Sequence, residues 1–307
     1  MSLTPKDDLA PVEDARALVD AMILERAPNL SKQPWIWPLV RTLAGPMLGH
    51  SKAVALVEAV RHLDGDACFD WGDEFLNLSV EAEGLDHVPD SGPALLIANH
   101  PAGIADGNAI FKALAGKRDD LVFFANRDAL RICPGLRSRI IPVEWRKNEL
   151  SRTRARETLR AAMEAFNAGR CVVIFPAGRM ADWDWASRRL VDPEWAPTGV
   201  SIARRFNAPI IPVGVIQRMP LMYYILSHIH EELRDITLFH GFLRQRGSQY
   251  RLKFGAPVLA KAMTGDDQAA TTVLKQTCED LAWGPRPSAQ TAPGLSENPE
   301  RLTSGSN

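Results

Sequence analysis

An apolar stretch, Ala94-Leu95-Leu96-Ile97-Ala98, runs straight into Asn99-His100, a glycine-containing turn and then Asp106. A short apolar run bounded by turn residues reads as a buried strand, and loops at strand ends in open α/β sheets are where ligands bind. An imidazole placed there can take a proton from a hydroxyl. A carboxylate that holds its other ring nitrogen fixes the tautomer and raises the basicity. Six residues of chain reach at most about 20 Å, and Gly103 permits a fold-back, so contact between His100 and Asp106 is feasible. Each residue also has a plainer reading, Asp106 as the cap of the next helix and His100 as a structural histidine.

The elements that must carry this pair follow from apolar periodicity. Strands are expected over residues 94–98, 121–125, 140–143, 171–175, 210–216 and 250–254, with a half-buried strand opening near Phe75, where Leu76, Leu78 and Val80 alternate with polar residues. Helices are expected between most of them, notably over 106–115, 151–168 and 198–206. Such alternation defines an α/β fold with a central, largely parallel mixed sheet flanked by helices. Ala53, Leu56, Val57, Val60 and Leu63 fall at helical spacing and belong to an N-terminal helical extension. The expected organisation is a disordered N-terminus over 1–11, a helical region over 12–65, an α/β domain over 66–283 and a disordered, proline-rich tail over 284–307.

The chain has 307 residues, 46% hydrophobic and 24% charged, with a net charge of −1. These values exclude collagen-like, wholly disordered and polytopic membrane classes. Lys6, Asp7, Asp8, Glu13 and Asp14 crowd the start, which is not how a secretory signal begins, so a cytoplasmic location is expected. Cys68, Cys133, Cys171 and Cys278 show no Cys-x-x-Cys pair and no metal-like spacing, and read as reduced packing thiols. A spanning helix needs about 20 apolar residues. The longest run free of Asp, Glu, Lys and Arg is residues 91–105, and Pro209, Pro212, Gly214 and Pro220 split residues 206–230 into a strand and a short apolar helix. Membrane attachment would therefore be interfacial. Pro34-Trp35-Ile36-Trp37-Pro38 and residues 219–226 could supply it, although both also read as core, and the second also as a lip for an acyl chain.

Charge is unevenly distributed. Residues 127–160 hold ten basic and four acidic side chains, a net of +6, so the remainder totals −7. Arg152, Arg156 and Arg160 recur every four residues and would share one helix face. A solvated face is one reading; attraction to anionic headgroups or coenzyme A phosphates is another. Nucleic acid is set aside, because no recognised reading module or aromatic stacking platform accompanies the charge. Arg127, just after a strand end as His100 is, is the favoured substrate contact in this segment. His228, His230 and His240 lack a His-Glu-x-x-His arrangement, and no phosphate-cradling glycine motif is present, so neither a metal nor a nucleotide cofactor is expected.

Taken together the motifs resemble the glycerolipid acyltransferases typified by 1-acylglycerol-3-phosphate acyltransferase. Asn99-His100 with Asp106 corresponds to the first motif of that family, Phe175-Pro176-Ala177-Gly178-Arg179 to the second, and Ala208-Pro209-Ile210-Ile211-Pro212-Val213 to a later strand. The stretch from Asn126-Arg127 through Pro134-Gly135-Leu136 to Ile141-Pro142-Val143 resembles the intervening block, and the likeness covers roughly residues 75–260. Two positions depart. Five residues separate His100 from Asp106 where the family has four, which requires a bulged loop; Ala177 stands for a Glu, and Arg179 lies one place early with Met180 after it.

The resemblance implies acyl transfer from a thioester, acyl-coenzyme A or acyl carrier protein, to the free hydroxyl of a lysophospholipid such as lysophosphatidic acid. His100 would be the general base, Asp106 its support, and Asn99, Arg127, Phe175, Pro176, Gly178 and Arg179 substrate contacts. The expected setting is peripheral, at the inner face of the cell membrane. The segment 232–240 resembles bacterial lysolipid acyltransferases that include those of ornithine-lipid synthesis, which makes a lyso-ornithine or other aminolipid an alternative acceptor. A lipid-binding scaffold with impaired catalysis is the alternative from another class.

Overall fold

Apolar runs and turn residues divide the chain into the layers seen in a computed structural model, which describes residues 14–39, 49–144, 146 and 149–285. The expectations for residues 1–11, for the tail over 286–307 and for Lys147 lie outside the described residues. Helices α1 (Ala15–Arg26), α2 (Ile36–Leu39), α3 (His50–Val60) and α4 (Gly65–Leu76) come first. Then follow β1 (Ser79–Glu83), β2 (Ala94–Ala98), α5 (Ile104–Leu114), β3 (Val122–Asn126), α6 (Asp128–Ile132), β4 (Ile140–Val143), α7 (Arg152–Asn167) and β5 (Cys171–Ile174). A hairpin of β6 (Asp182–Asp184) and β7 (Arg189–Val191) precedes α8 (Thr198–Phe206), β8 (Pro209–Ile216), α9 (Leu221–Ile229), α10 (Glu231–Asp235) and α11 (Leu238–Arg244). The described chain closes with β9 (Gln249–Phe254), β10 (Val258–Leu259) and α12 (Asp267–Trp283).

The main sheet runs β1-β9-β8-β2-β5-β3-β4, with β10 against β8. Strands β8, β2, β5, β3 and β4 are parallel, whereas β9 is antiparallel to β8 and carries β1 parallel to itself. This is the expected mixed, largely parallel sheet. Strand β2 lies at its centre and is buried along its whole length. Leu96 points into one apolar layer with Ala109, Ile110 and Tyr250, while Leu95 and Ile97 point into the opposite layer with Phe166, Val200 and Leu274. That two-sided burial explains an unbroken apolar run where a half-buried strand would alternate.

One boundary differs from expectation. Leu76 is not strand but the last residue of α4; Asp64 caps that helix by accepting from Ala67 N, and Asn77 ends it at φ 44. The left-handed turn at Asn77 resets the chain direction, so the alternation begins only at Ser79.

The N-terminal helices are tied to the sheet by charge. Arg26 bonds Asp128 at 2.8 Å, Glu25 accepts from Arg131 and Arg146, and Glu144 accepts from Arg146 and Arg154. Much of the basic 127–160 segment is absorbed here. Arg127 pairs with Glu157 and Arg139 with Asp66, whereas Arg152, Arg156 and Arg160 are exposed on α7 as their spacing requires. Among the described residues no helix is long and apolar enough to cross a membrane.

Candidate active site

Parallel pairing brings the first two motifs together. Strands β2 and β5 are neighbours with Ile97 beside Ile174, so Asn99-His100 and the turn from Phe175 leave the sheet at the same edge. A backbone bond from Ala181 N to His100 O, 2.9 Å, fastens the second loop to the first. The His100 ring lies over the Phe175 ring, 4.3 Å between centroids. Gly103 sits at φ +78 and ψ −140, a conformation closed to L side chains. A Cβ at this position would stand 2.7 Å from Met180 Sδ, so the same glycine also permits the close approach of the two loops.

The positive φ at Gly103 accommodates the extra residue between His100 and Asp106. His100 Nδ1 and Asp106 Oδ2 are 3.0 Å apart, the side chain of Asp106 being wholly buried and that of His100 19% exposed. The same Asp106 oxygen accepts from Ala102 N at 2.9 Å and Gly103 N at 3.1 Å. The cap of the helix start and the contact with His100 are therefore both made, through one oxygen. With Nδ1–H donated to the carboxylate, Nε2 is the ring nitrogen left to accept a proton.

Asn99 has another task than substrate contact. Its side chain is buried and donates Nδ2–H to Val215 O at 3.0 Å while Oδ1 accepts from Val215 N at 2.7 Å. Both ends of the amide are consumed in prolonging the β2–β8 pairing past Ala98. Arg127 follows β3, which is separated from β2 by β5, and its guanidinium is engaged by Glu157. Pro176 O accepts from Ala196 N at 3.1 Å, and Gly178, at φ +62, makes the turn that exposes Arg179. The Arg179 side chain is 57% exposed, its nearest carboxylate being Glu231 at 3.8 Å. It is available to a ligand anion.

Sequence reasoning missed Asp192 and Trp195. Both Asp192 oxygens lie 3.2 Å from His100 N, and Oδ2 also accepts from Trp195 Nε1 at 2.9 Å. Burial pushes the Asp192 carboxyl up to about 6, against the opposing pull of the Trp195 and His100 N–H donors. A carboxylate at this depth, with no basic side chain bonded to it among the described residues, positions the peptide that carries the His100 imidazole.

Beside the pair, the β6–β7 hairpin leans on α9: Ser227 Oγ donates to Asp182, and Trp185 Nε1 donates to His228 Nε2 at 3.2 Å. Met219 and Tyr223 are core, as one reading of residues 219–226 requires, while Leu221, Ile225, Ile229 and Trp185 are exposed.

At one end of the sheet the buried Asp106 backs the His100 imidazole and the Gly178 turn exposes Arg179, and residues 79–216 match the model of the Acyltransferase family. The matched segment, residues 79–216, is an acyltransferase domain. The chain is 26% identical over 195 residues to the lyso-glycine lipid O-acyltransferase of Phocaeicola vulgatus, covering 60% of this chain and 66% of that one. It is 25% identical to the lyso-glycine lipid O-acyltransferase of Bacteroides thetaiotaomicron, covering 60% and 68%. Among solved structures, the 1-acyl-sn-glycerophosphate (LPA) acyltransferase PlsC of Thermotoga maritima is similar with a TM-score of 0.43 and 16% identity, over 87% of this chain and 97% of that one.

Proposed function

We propose that the protein transfers a fatty acyl group from a thioester, acyl-coenzyme A or acyl carrier protein, to the free hydroxyl of a lysolipid. The observation that carries this reading is the 3.0 Å contact between His100 Nδ1 and a buried Asp106 oxygen. His100 Nε2 takes the hydroxyl proton as the oxygen attacks the thioester carbonyl. The tetrahedral intermediate collapses, the carbon–sulfur bond breaks, and the thiolate leaves with the proton that His100 had taken. Asp106 supports the imidazolium formed between these steps, and no cofactor is needed for this chemistry.

An acceptor with an amino-acid headgroup is favoured over lysophosphatidic acid, because the curated relatives act on lyso-glycine lipid. Arg179 can meet either a carboxylate or a phosphate. The acyl chains reach the site from a membrane surface at which Trp185, Leu221, Ile225 and Ile229 dock, on the cytoplasmic side of the cell membrane.

The test is purified protein with radiolabelled acyl donors and a panel of lyso-glycine lipid, lyso-ornithine lipid and lysophosphatidic acid. Acylation of the amino-acid lipids, abolished in His100→Ala, supports the reading. Preference for lysophosphatidic acid reassigns the acceptor, and equal background from wild type and His100→Ala overturns the enzyme reading in favour of a lipid-binding scaffold.

A further inference from the structure

Asp106 presents an imbalance that the His100 contact does not resolve. Oδ2 receives three donors, from His100, Ala102 and Gly103, whereas Oδ1 is buried without a hydrogen-bond partner among the described residues. A buried carboxylate oxygen without a donor is costly, since its hydration has been removed and nothing replaces it. A second buried polar atom is in the same position. Tyr250 Oη is likewise buried without a hydrogen-bond partner, and the charged neighbour acting on that hydroxyl is Asp106.

The topology explains how a residue so distant in sequence arrives there. Strand β9 runs antiparallel to β8, with Arg251 beside Ile216 and Leu252 beside Val215. Tyr250 therefore lies at the start of β9, which is the edge where β8 and β2 end and where Asn99 bonds Val215. Within β9, Tyr250, Leu252 and Phe254 point inward, and Tyr250 is the one of the three that carries a polar atom. A hydroxyl at an inward strand position needs a partner. Burial first, and then the Asp106 carboxylate, push the Tyr250 phenol well above its usual value, which keeps it protonated and a donor. Tyr224 also feels the Asp106 charge, but its oxygen accepts from Met219 N at 3.0 Å.

We propose that Tyr250 is a positioning residue for the transfer reaction: its hydroxyl donates to Asp106 Oδ1 and completes a Tyr250–Asp106–His100 chain that holds the carboxylate plane against the imidazole. A small approach of the two side chains closes that bond when substrate covers the site. Catalytic hydrogen bonds commonly tighten in this way in the substrate complex. The inference rests on His100 as base. It adds a third member whose loss is felt at the imidazole without any contact with substrate.

The test is Tyr250→Phe, which keeps the ring and removes only the oxygen. With the acceptor that the lysolipid panel identifies, kcat should fall about 10-fold or more while the acceptor KM stays within about twofold. In an Asp106→Asn background the same change should cost less than about twofold, because the two residues act on the imidazole as a unit. Independently of turnover, histidine-labelled protein should show the His100 Nδ1–H proton resonance displaced in Tyr250→Phe and unmoved in Tyr223→Phe. Wild-type kcat in Tyr250→Phe, or full multiplication of its effect with Asp106→Asn, overturns the chain while leaving His100 as base. A resonance identical in wild type and Tyr250→Phe overturns it whether or not turnover is measured. Full activity in His100→Ala removes the base and the chain together.

Discussion

Asp192 grips the backbone of His100 across 92 residues of sequence, both carboxylate oxygens lying 3.2 Å from one N–H. The β6–β7 hairpin delivers Asp192 to the end of β2 and so holds the His100 peptide, while Asp106 holds the ring. Asp192→Ala should lower kcat about 10-fold or more and destabilise the fold by about 1–3 kcal/mol, since His100 N and Trp195 Nε1 are left as buried donors. Steady-state kinetics and a denaturant titration check both.

The same residue makes a pH prediction. Burial raises its folded-state value to about 6, above the ordinary carboxylate value that the unfolded chain retains. Between about pH 4 and 6 the folded state therefore binds more protons, and this group's contribution to stability falls as pH rises through that window. Asp192→Asn should flatten the slope of unfolding free energy against pH over that interval. An unchanged slope counts against the assignment.

Asp106→Asn keeps an oxygen for the Ala102 and Gly103 N–H groups but loses the charge behind His100. Turnover should drop about 10²-fold or more, the scale of a general-base contribution. The thermal midpoint should move by only a few degrees. Asp106→Ala should lose comparable activity and a further ~1 kcal/mol of stability, since the helix start loses its acceptor.

Gly103→Ala combines an unfavourable backbone with a contact at 2.7 Å from Met180 Sδ. The cost should be about 1–3 kcal/mol with a loss of turnover. Adding Met180→Ala should recover only part of it, because the sulfur can be removed but the positive φ stays. Full recovery would show that sterics alone govern the loop.

Arg179→Ala should leave stability within about 0.5 kcal/mol, since the exposed guanidinium faces its one carboxylate at 3.8 Å. It should raise the acceptor KM with a small effect on the acyl donor. A change confined to the donor assigns the guanidinium to that substrate instead.

On the exposed apolar surface shared by α9 and the β6–β7 turn, Ile225→Ser with Trp185→Ser should reduce co-sedimentation with lipid vesicles several-fold, whatever the lipid charge. Arg152→Gln with Arg156→Gln, on the exposed face of α7, should weaken association only where anionic lipid is present. Retained binding in the first double variant would move the lipid contact elsewhere.

The sheet was legible because its strands are local signals: residues 94–98 and 140–143 are strands with the expected bounds, and 171–175 and 210–216 differ by a single residue at one end. The His100–Asp106 pair was legible for the same reason, both members lying within one turn. Asp192 and Tyr250 carry no comparable signal, since each reaches the site through pairing with a distant strand or loop. Asn99 misled because its motif position says nothing of Val215, on a neighbouring strand 116 residues on. The +6 segment misled more broadly. Its sequence neighbours are basic, but Glu25 and Asp66, from the helices before the sheet, supply part of the counter-charge.

Those ion pairs make the N-terminal helices a clasp. Asp128 is buried and takes Arg26 at 2.8 Å, and Arg131 and Arg146 both lean on Glu25. A chain shortened past α1 would strip Arg131 and Arg146 of Glu25, and Asp128 of Arg26, all in the segments that follow β3 and β4. Such a truncation would lose activity through a loosened sheet, and its failure would say nothing about where lipid is bound.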